Sequence, residues 1–192
     1  ENTQLGRASE TRSNFGIAIV AGTEVTIRKN RIQNHGGSGI LTLINSENLT
    51  IRNNIITHNG LVGMADGIHL GGKIDGTRII NNQISHNGGS GIFMFKTDGK
   101  TVIENNQLLE NSQRFTQAAI YLMGSGHQVQ NNEISNPRGA GVVVAAYPES
   151  IRNRIEKNRF LALEGLSIDL VTRRRDSVRA YLNGDGANPQ RD

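Results

Sequence analysis

Apolar residues along this chain stand in a fixed relation to asparagine. Six asparagines recur at intervals of 24 to 28 residues, and each has an aliphatic residue three places before it and an apolar residue two places after it. They are Asn30, Asn54, Asn82, Asn106, Asn132 and Asn158. A repeat of this length across most of a chain predicts a solenoid, in which each repeat packs mainly against its neighbours.

Once in each repeat, a small residue followed by an aliphatic one opens a short run in which apolar positions alternate. The small residues are Gly16, Gly39, Gly67, Gly91, Ala119, Gly141 and Gly165. Alternation with a period of two predicts strands, and the clusters of Gly and Asn between them predict turns. Each repeat should contain a strand that begins at the small residue, a second that ends just before the recurring asparagine, and a third just after it.

Helices are not expected, because Gly and Asn recur every few residues and no stripe of helical period persists. The pattern predicts an all-β fold, a single-stranded parallel β-helix of about seven coils, right-handed by the general preference of parallel crossovers. Residues 14–170 would form this β-helix. Residues 1–13 would be an N-terminal arm or partial coil, and residues 171–192 a basic loop that leads to a further segment.

The six asparagines should form a structural ladder rather than a catalytic site. Asparagine tolerates the left-handed backbone of a tight corner, and stacked carboxamides can bond to one another and to the neighbouring backbone.

The unit from Leu49 to Gly60 and the run from Gly89 to Ile92 resemble the parallel β-helix repeats of the pectin-lyase-like superfamily. The form is that of carbohydrate-binding and sugar-hydrolase domains and of periplasmic NosD proteins, and the resemblance covers about residues 14–170. It implies the fold but no single activity, because the superfamily contains lyases, epimerases, hydrolases, adhesins and proteins without chemistry. Residues 166–170 and 183–189 are similar to a closing segment of multidomain bacterial surface proteins. The resemblance thus implies an extracellular, cell-surface or periplasmic location.

Composition changes this picture only in part. The chain has no cysteine, which excludes disulfides and thiolate metal sites. No apolar run approaches the roughly 20 residues that cross a bilayer, so the segment is expected to be soluble and not transmembrane.

The net charge is +4, and basic residues concentrate towards the C-terminus. Arg173, Arg174 and Arg175 could bind an acidic glycan or form a solvated loop. Nucleic acid is not expected, because no aromatic residues alternate with these arginines.

The side chains expected on the outer face of the strands that follow the small residues are mostly apolar. One column reads Ala18, Leu41, His69, Phe93, Tyr121, Val143 and Ser167, and the next reads Val20, Leu43, Gly71, Phe95, Met123, Ala145 and Asp169. Such a face favours contact over acid–base chemistry. The predicted binding patch comprises Leu41, His69, Phe93, Phe95, Tyr121 and Met123. A loop or the N-terminal arm could cover it instead.

Two other kinds of site are weaker candidates. A polysaccharide lyase, epimerase or hydrolase would need catalytic groups from loops, with Asp66, His69, Lys96 and Arg114 as candidates, although the motifs of alginate epimerases and polygalacturonases are absent.

A metal site is the other candidate. His58 and His86 occupy equivalent places in successive repeats, Glu110 follows on the next repeat, and His35 lies nearby. Two imidazoles and a carboxylate could hold zinc or copper, as in a NosD-like protein, but polar residues at a solvent-facing corner need no such role.

These patterns favour a noncatalytic β-helix module of an exported protein, which acts as a rigid scaffold and as a carbohydrate- or protein-binding surface. No cofactor is expected. The expected partner at the apolar outer face is a polysaccharide or another protein domain. The alternatives are an enzyme that acts on an acidic glycan and a metal-binding periplasmic protein.

Overall fold

The computed structural model describes residues 4–5, 15–62, 66–114, 118–145 and 150–171. Their regular structure is entirely β, which confirms the predicted fold class. Within these ranges no helix is long and apolar enough to cross a membrane.

Twenty-two strands lie in the described ranges. In chain order they are β1 (Gln4–Leu5), β2 (Ile17–Ile19), β3 (Gly22–Thr23), β4 (Thr26–Arg28), β5 (Arg31–Gln33), β6 (Ile40–Thr42), β7 (Ser46–Glu47), β8 (Thr50–Arg52), β9 (Ile55–Thr57), β10 (Ile68–Gly71), β11 (Thr77–Ile80), β12 (Gln83–Ser85), β13 (Ile92–Asp98), β14 (Thr101–Glu104), β15 (Gln107–Leu109), β16 (Ile120–Ser125), β17 (Gln128–Gln130), β18 (Glu133–Ser135), β19 (Val142–Ala145), β20 (Arg154–Glu156), β21 (Arg159–Leu161) and β22 (Ile168–Val171).

The strands stack into three long parallel sheets. The first sheet has the order β1-β5-β9-β12-β15-β18-β21, the second β2-β6-β10-β13-β16-β19-β22, and the third β4-β8-β11-β14-β17-β20. A small fourth sheet pairs β3 with β7. Each coil contributes one strand to each long sheet, so the described chain forms six complete coils with one further strand at each end. This is the predicted parallel β-helix.

The interior is one continuous core of mostly aliphatic side chains, because each short strand of the three long sheets turns its central or alternate residues inwards. The inward positions that are fully or almost fully buried include Ile27, Ile51, Ile79, Ile103 and Val129 of the third sheet, Ile32, Ile56, Ile84, Leu108 and Ile134 of the first, and Ile40, Ile68, Ile92, Ile120 and Val142 of the second. These residues form one continuous core cluster. The apolar residues that flank each recurring asparagine therefore belong to this core or pack against it.

The recurring asparagines line the corner between the third and first sheets. Asn82 shows the pattern: its Oδ1 accepts from the backbone N and the Nδ2 of Asn54, at 3.0 Å each, and its Nδ2 donates to Ile51 O at 2.9 Å. Its Nδ2 also donates to Asn106 Oδ1, at 3.0 Å. Hydrogen bonds of this kind run from Asn30 to Asn158, so the carboxamides join every pair of successive coils.

The left-handed backbone of this corner belongs to the residue before each ladder asparagine, which corrects the sequence-based interpretation. The residues with positive φ here are Lys29, Asn53, Asn81, Asn105, Asn131 and Lys157. They are exposed, whereas Asn54, Asn82, Asn106 and Asn132 are buried. The ladder asparagine is therefore required for its hydrogen bonds, while its neighbour makes the turn.

A second carboxamide ladder runs along the corner between the first and second sheets. Asn59 Nδ2 donates to Ile32 O at 3.1 Å and to Asn87 Oδ1 at 3.1 Å, and Asn87 Nδ2 donates to Asn111 Oδ1 at 2.9 Å. All three asparagines are fully buried, whereas the residues before them at this corner, His58, His86 and Glu110, keep exposed side chains. The backbone N of His35 donates to Asn59 Oδ1, which makes His35 the first member of this row.

Candidate functional site

Aromatic rings stack on the outer face of the second sheet, where strand register sets them side by side. His69 on β10 pairs in register with Phe93 on β13, which pairs with Tyr121 on β16. The ring centroids of His69 and Phe93 are 5.0 Å apart and those of Phe93 and Tyr121 are 4.9 Å apart, with interplanar angles of 16° and 12°. We call His69, Phe93 and Tyr121 the ring stack.

Burial divides the six residues of the predicted patch. Leu41, His69 and Tyr121 are buried, with 1%, 7% and 8% of their surfaces exposed. Tyr121 packs in a second apolar cluster with Ala118, Ala140, Val143 and Ala145. Phe93 and Met123 are half-buried, and Phe95 is 40% exposed. The expectation of one open patch of six side chains is therefore wrong in extent.

Stacking also decides which ring surfaces a ligand can reach. Because Phe93 stacks between His69 and Tyr121, both faces of its ring are covered by its neighbours. Phe95 lies beside the stack, with its centroid 6.2 Å from that of Phe93. Lys96 Nζ lies 5.1 Å from the centroid of Phe95. Phe95 is thus the aromatic side chain of this face that offers the most surface for contact.

A β-bulge sets the direction of Phe95 and Lys96. The register between β13 and β16 shifts between Met94 and Thr97, and Lys96 has a φ of 53°. A bulge places two residues opposite one and locally re-aims the side chains. This bulge could not be predicted from the sequence, because neither Gly nor Pro occurs in this part of β13.

Large apolar side chains remain exposed in the second outward column of this sheet. Val20 is 57% exposed, Leu43 58% and Phe95 40%. Leu43 lies one residue beyond β6 and Val20 one residue beyond β2, and Gly71 pairs with Phe95 in register. We call Val20, Leu43 and Phe95 the apolar column.

The last strand of the sheet has a different register from the predicted one. Ile168 pairs with Val142 and Asp169 pairs with Val143, so Asp169 belongs to the first outward column, where Ser167 was expected. This register keeps Ile168 and Leu170 in the inward columns of the preceding strands. Ile168 and Leu170 thus lie in line with Val142 and Val144, although both are exposed on this last described strand.

Asp66 and His69, two of the candidate catalytic residues, form a buried hydrogen-bonded pair. Asp66 Oδ2 lies 2.9 Å from His69 Nδ1, and Asp66 Oδ1 accepts from Ser90 N at 2.8 Å. Burial raises the pKa of the Asp66 carboxyl above its ordinary value of 3.8. The hydrogen bond with His69, the attraction between the two side chains and the bond from Ser90 oppose that increase.

Replacing Asp66 with Asn should remove one contribution to stability that falls as pH rises. Since the raised pKa means that the folded chain binds the Asp66 proton more tightly than the unfolded chain, this group's contribution to the free energy of unfolding falls as pH rises from 3.8 through the folded pKa. Asp66→Asn keeps an acceptor for Ser90 N but has no proton to lose. Urea unfolding from about pH 4 to about pH 8 measures the difference between the two proteins.

Asp75→Asn provides a control of opposite sign. Hydrogen bonds from the backbone N atoms of Lys100 and Gly76 lower the pKa of the exposed Asp75 carboxyl, so its contribution is lost as pH falls. A constant difference in unfolding free energy between the wild type and Asp66→Asn over the whole range would contradict the assignment.

The other two candidate catalytic residues do not join this pair. Lys96 lies beside Phe95, near the far end of β13. Arg114 Nη1 donates to Gly60 O at 2.8 Å, which fixes its guanidinium on a neighbouring loop.

His58 and His86 stack at an exposed corner, with ring centroids 5.1 Å apart and an interplanar angle of 3°. His86 Nε2 lies 3.3 Å from Glu110 Oε2, and His58 Nδ1 lies 2.8 Å from Thr57 Oγ1. Rings that stack in parallel direct their in-plane lone pairs side by side rather than towards one point. In the parts of the chain that the structure describes, no three His, Cys, Asp or Glu residues are arranged to hold a metal ion.

Three predicted ligand-binding residues, Arg173, Arg174 and Arg175, lie outside the described residues. The same is true of most of the predicted arm at 1–13 and of tail residues 172–192.

Comparison with known proteins identifies a family of the same fold. A family described as "Right handed beta helix region" matches residues 8–108, which is more than half of the chain. No curated protein and no solved structure matches this chain.

Proposed function

Because this chain belongs to the right-handed β-helix family, we propose that it is a noncatalytic module that acts as a rigid scaffold and binds carbohydrate through the outer face of its second sheet. The proposal rests on one observation, the exposure of Val20, Leu43 and Phe95 in the apolar column. Exposed apolar side chains that are aligned on a flat sheet form a surface that is suited to the apolar face of a sugar ring or to a partner protein.

The scaffold role is supported by the two carboxamide ladders. Each ladder joins successive coils through buried or partly buried hydrogen bonds, and the ladder at the corner of the third and first sheets extends from Asn30 to Asn158. Buried networks in which every member has partners rigidify a fold. A rod of this kind presents its outer columns at a fixed spacing of about 4.8 Å between strands.

Within the apolar column, Phe95 is the proposed sugar contact. The residue is 40% exposed, and Lys96 Nζ lies over its ring, 5.1 Å from the centroid, where it would favour a sugar that carries a carboxylate. The rings of His69 and Tyr121 are buried, so they would hold Phe93 between them rather than contact the ligand.

The noncatalytic part of the proposal is supported by the same face. Asp66 and His69 are the acid and the imidazole that lie close enough to act together, but both are buried and the carboxylate is also bonded to Ser90 N. This pair is the observation that favours the enzymatic alternative. We further propose an extracellular, cell-surface or periplasmic location, in line with the resemblance of the repeats.

Phe95→Ala should weaken glycan binding by about tenfold or more, because one central aromatic anchor commonly contributes at least 2 kcal/mol. Glycan-array binding followed by titration of the best polymer measures the effect. The matched control is Ile55→Ala, which removes an exposed side chain of 36% accessibility from the first sheet and should leave affinity unchanged.

Three outcomes would contradict the proposal. One is equal affinity of Phe95→Ala and Ile55→Ala. Another is a protein ligand captured through Phe95 when no glycan binds, which would move the partner to a different class. The third is the appearance of new unsaturated or reducing ends in the bound polymer, which would show that the chain is an enzyme and make Asp66 and His69 its candidate catalytic residues.

A further inference from the structure

Arginine side chains gather on the outer face of the third sheet at its N-terminal coils. Arg28 on β4 and Arg52 on β8 are directly paired in register, and Arg78 on β11 occupies the neighbouring column. Lys29 makes the following corner with a φ of 56°, and Arg31 begins β5 just beyond it. Arg52 is half-buried and the other four are exposed. We call these five residues the basic face.

No acidic side chain neutralises the basic face within the described part of the chain. The ion pairs of this region and of the later coils are Lys73–Glu47, Arg154–Glu156 and Arg159–Glu133. Glu24 and Glu47 lie before β4 and β8, at the opposite ends of these strands from Arg28 and Arg52, and Glu47 is bound to Lys73. Asp75 precedes Arg78 by three residues, and its Oδ1 accepts from the backbone N atoms of Gly76 and Lys100.

The pairing of Arg28 with Arg52 works against folding. Adjacent strands are about 4.8 Å apart, and like charges that lie directly opposite one another destabilise a sheet. Later coils place Ile80, Glu104, Gln130 and Glu156 in the same column, so the fold accepts neutral and acidic side chains there. An anion that bridges the two guanidinium groups would turn this repulsion into attraction.

We propose that the basic face binds a linear acidic polysaccharide, with Arg28 and Arg52 as the central pair of its contacts. Guanidinium groups bind carboxylates and sulfates through two parallel hydrogen bonds. The five cations extend over three coils and around a corner, which is more than one small anion can span. A chain with repeated charges can contact them all.

The composition of the face favours a polysaccharide over other polyanions. Thr26 and Thr50 lie in the same column as Arg78, beside Arg28 and Arg52, and their hydroxyls suit sugar hydroxyls. The outward positions of β4, β8 and β11 carry no aromatic ring on which a base could stack. They carry no large exposed apolar side chain that would enter a membrane either, since Ile80 is half-buried.

This surface goes beyond the binding site proposed above, because it lies on a different sheet and contains none of the residues of the apolar column. Phe95→Ala should therefore leave binding at the basic face unchanged. Loss of the arginines should likewise leave binding at the apolar column unchanged, so the failure of one proposal is distinguishable from the failure of the other.

The test uses the whole chain with Arg28→Gln and Arg52→Gln combined. Its control, Arg154→Gln with Arg159→Gln, removes the same charge from two exposed arginines that already have glutamate partners. Affinities for polyuronate and for heparin at low salt are measured for the wild type and both variants. Circular dichroism confirms folding, and oligo-thymidine and anionic phospholipid vesicles serve as competing polyanions.

The expected result is polysaccharide binding that weakens with added salt, falls by about tenfold or more in the Arg28/Arg52 variant, and is retained in the control. Equal losses in the two variants would show a general charge effect and overturn the proposal. Absence of polysaccharide binding at low salt would overturn it, and so would tighter, Arg28-dependent binding of the oligonucleotide or the vesicles.

Discussion

Asn82→Ala should lower the free energy of unfolding by about 4 kcal/mol, because it removes four buried hydrogen bonds that each contribute about 1 kcal/mol. Asn82 bonds through its side chain to the backbone N and Nδ2 of Asn54, to Ile51 O and to Asn106 Oδ1. Only 1% of Asn82 is exposed, so water cannot replace these partners.

The ladder supplies its own matched control. Asn30→Ala is the same substitution at the first rung, where the side chain makes one bond, from its Nδ2 to Asn54 Oδ1 at 3.3 Å, and is only half-buried. Its expected cost is about 1 kcal/mol. Urea unfolding followed by circular dichroism gives both values.

The comparison tests whether the ladder acts through hydrogen bonds or through shape. Since both variants lose the same atoms, equal costs for Asn82→Ala and Asn30→Ala would mean that the number of bonds does not decide stability. A cost of Asn82→Ala near zero would show that the stacked carboxamides are an effect of the fold rather than one of its causes.

The spacing of the sequence was sufficient to predict this ladder, but not the local geometry around it. Asn30 to Asn158 recur with apolar neighbours at fixed offsets, and one coil length then sets which residues share a column. The turning residue could not be inferred from the repeat, because Lys29 and Lys157 fill the same backbone position as Asn53 and Asn81. Left-handed geometry tolerates several residue types at some cost, so it leaves a weaker trace in the sequence.

The candidate site was predictable in register but not in exposure. Period-two alternation places His69, Phe93 and Tyr121 in one column, and strand pairing puts them there. Their burial depends on packing across loops and between columns, which a single strand does not encode. The bulge before Thr97 and the register of Asp169 likewise follow from pairing between coils.

Gly67→Ala should lower the free energy of unfolding by about 2 kcal/mol, the usual cost of forcing a methyl group into a packed interior. A Cβ at this position would lie 2.7 Å from Gly91 O, 2.7 Å from Ile84 Cγ2 and 2.8 Å from Asn87 Nδ2. Two of these are a backbone atom and a ladder carboxamide, which cannot move without loosening the neighbouring coil.

Gly71→Ala is the control for this substitution, since it lies on the same strand. A Cβ at this position would lie 3.7 Å from Phe95 O and 3.7 Å from Thr42 O, which is ordinary van der Waals contact. The expected change is within about 0.5 kcal/mol. Thermal and urea unfolding of both variants decide the point, and a Gly67→Ala protein as stable as Gly71→Ala would disprove the packing argument.

Three glycines in the column of small residues pack against the second ladder. Gly39, Gly67 and Gly91 each face an asparagine of this ladder, with Nδ2 within 2.9 Å of a Cβ built on the glycine. Those asparagines donate to carbonyls of the preceding coil, at Ile32, Ile56 and Ile84. A methyl group at any of the three glycines would displace the donating amide, so these glycines and the second ladder form one packing unit.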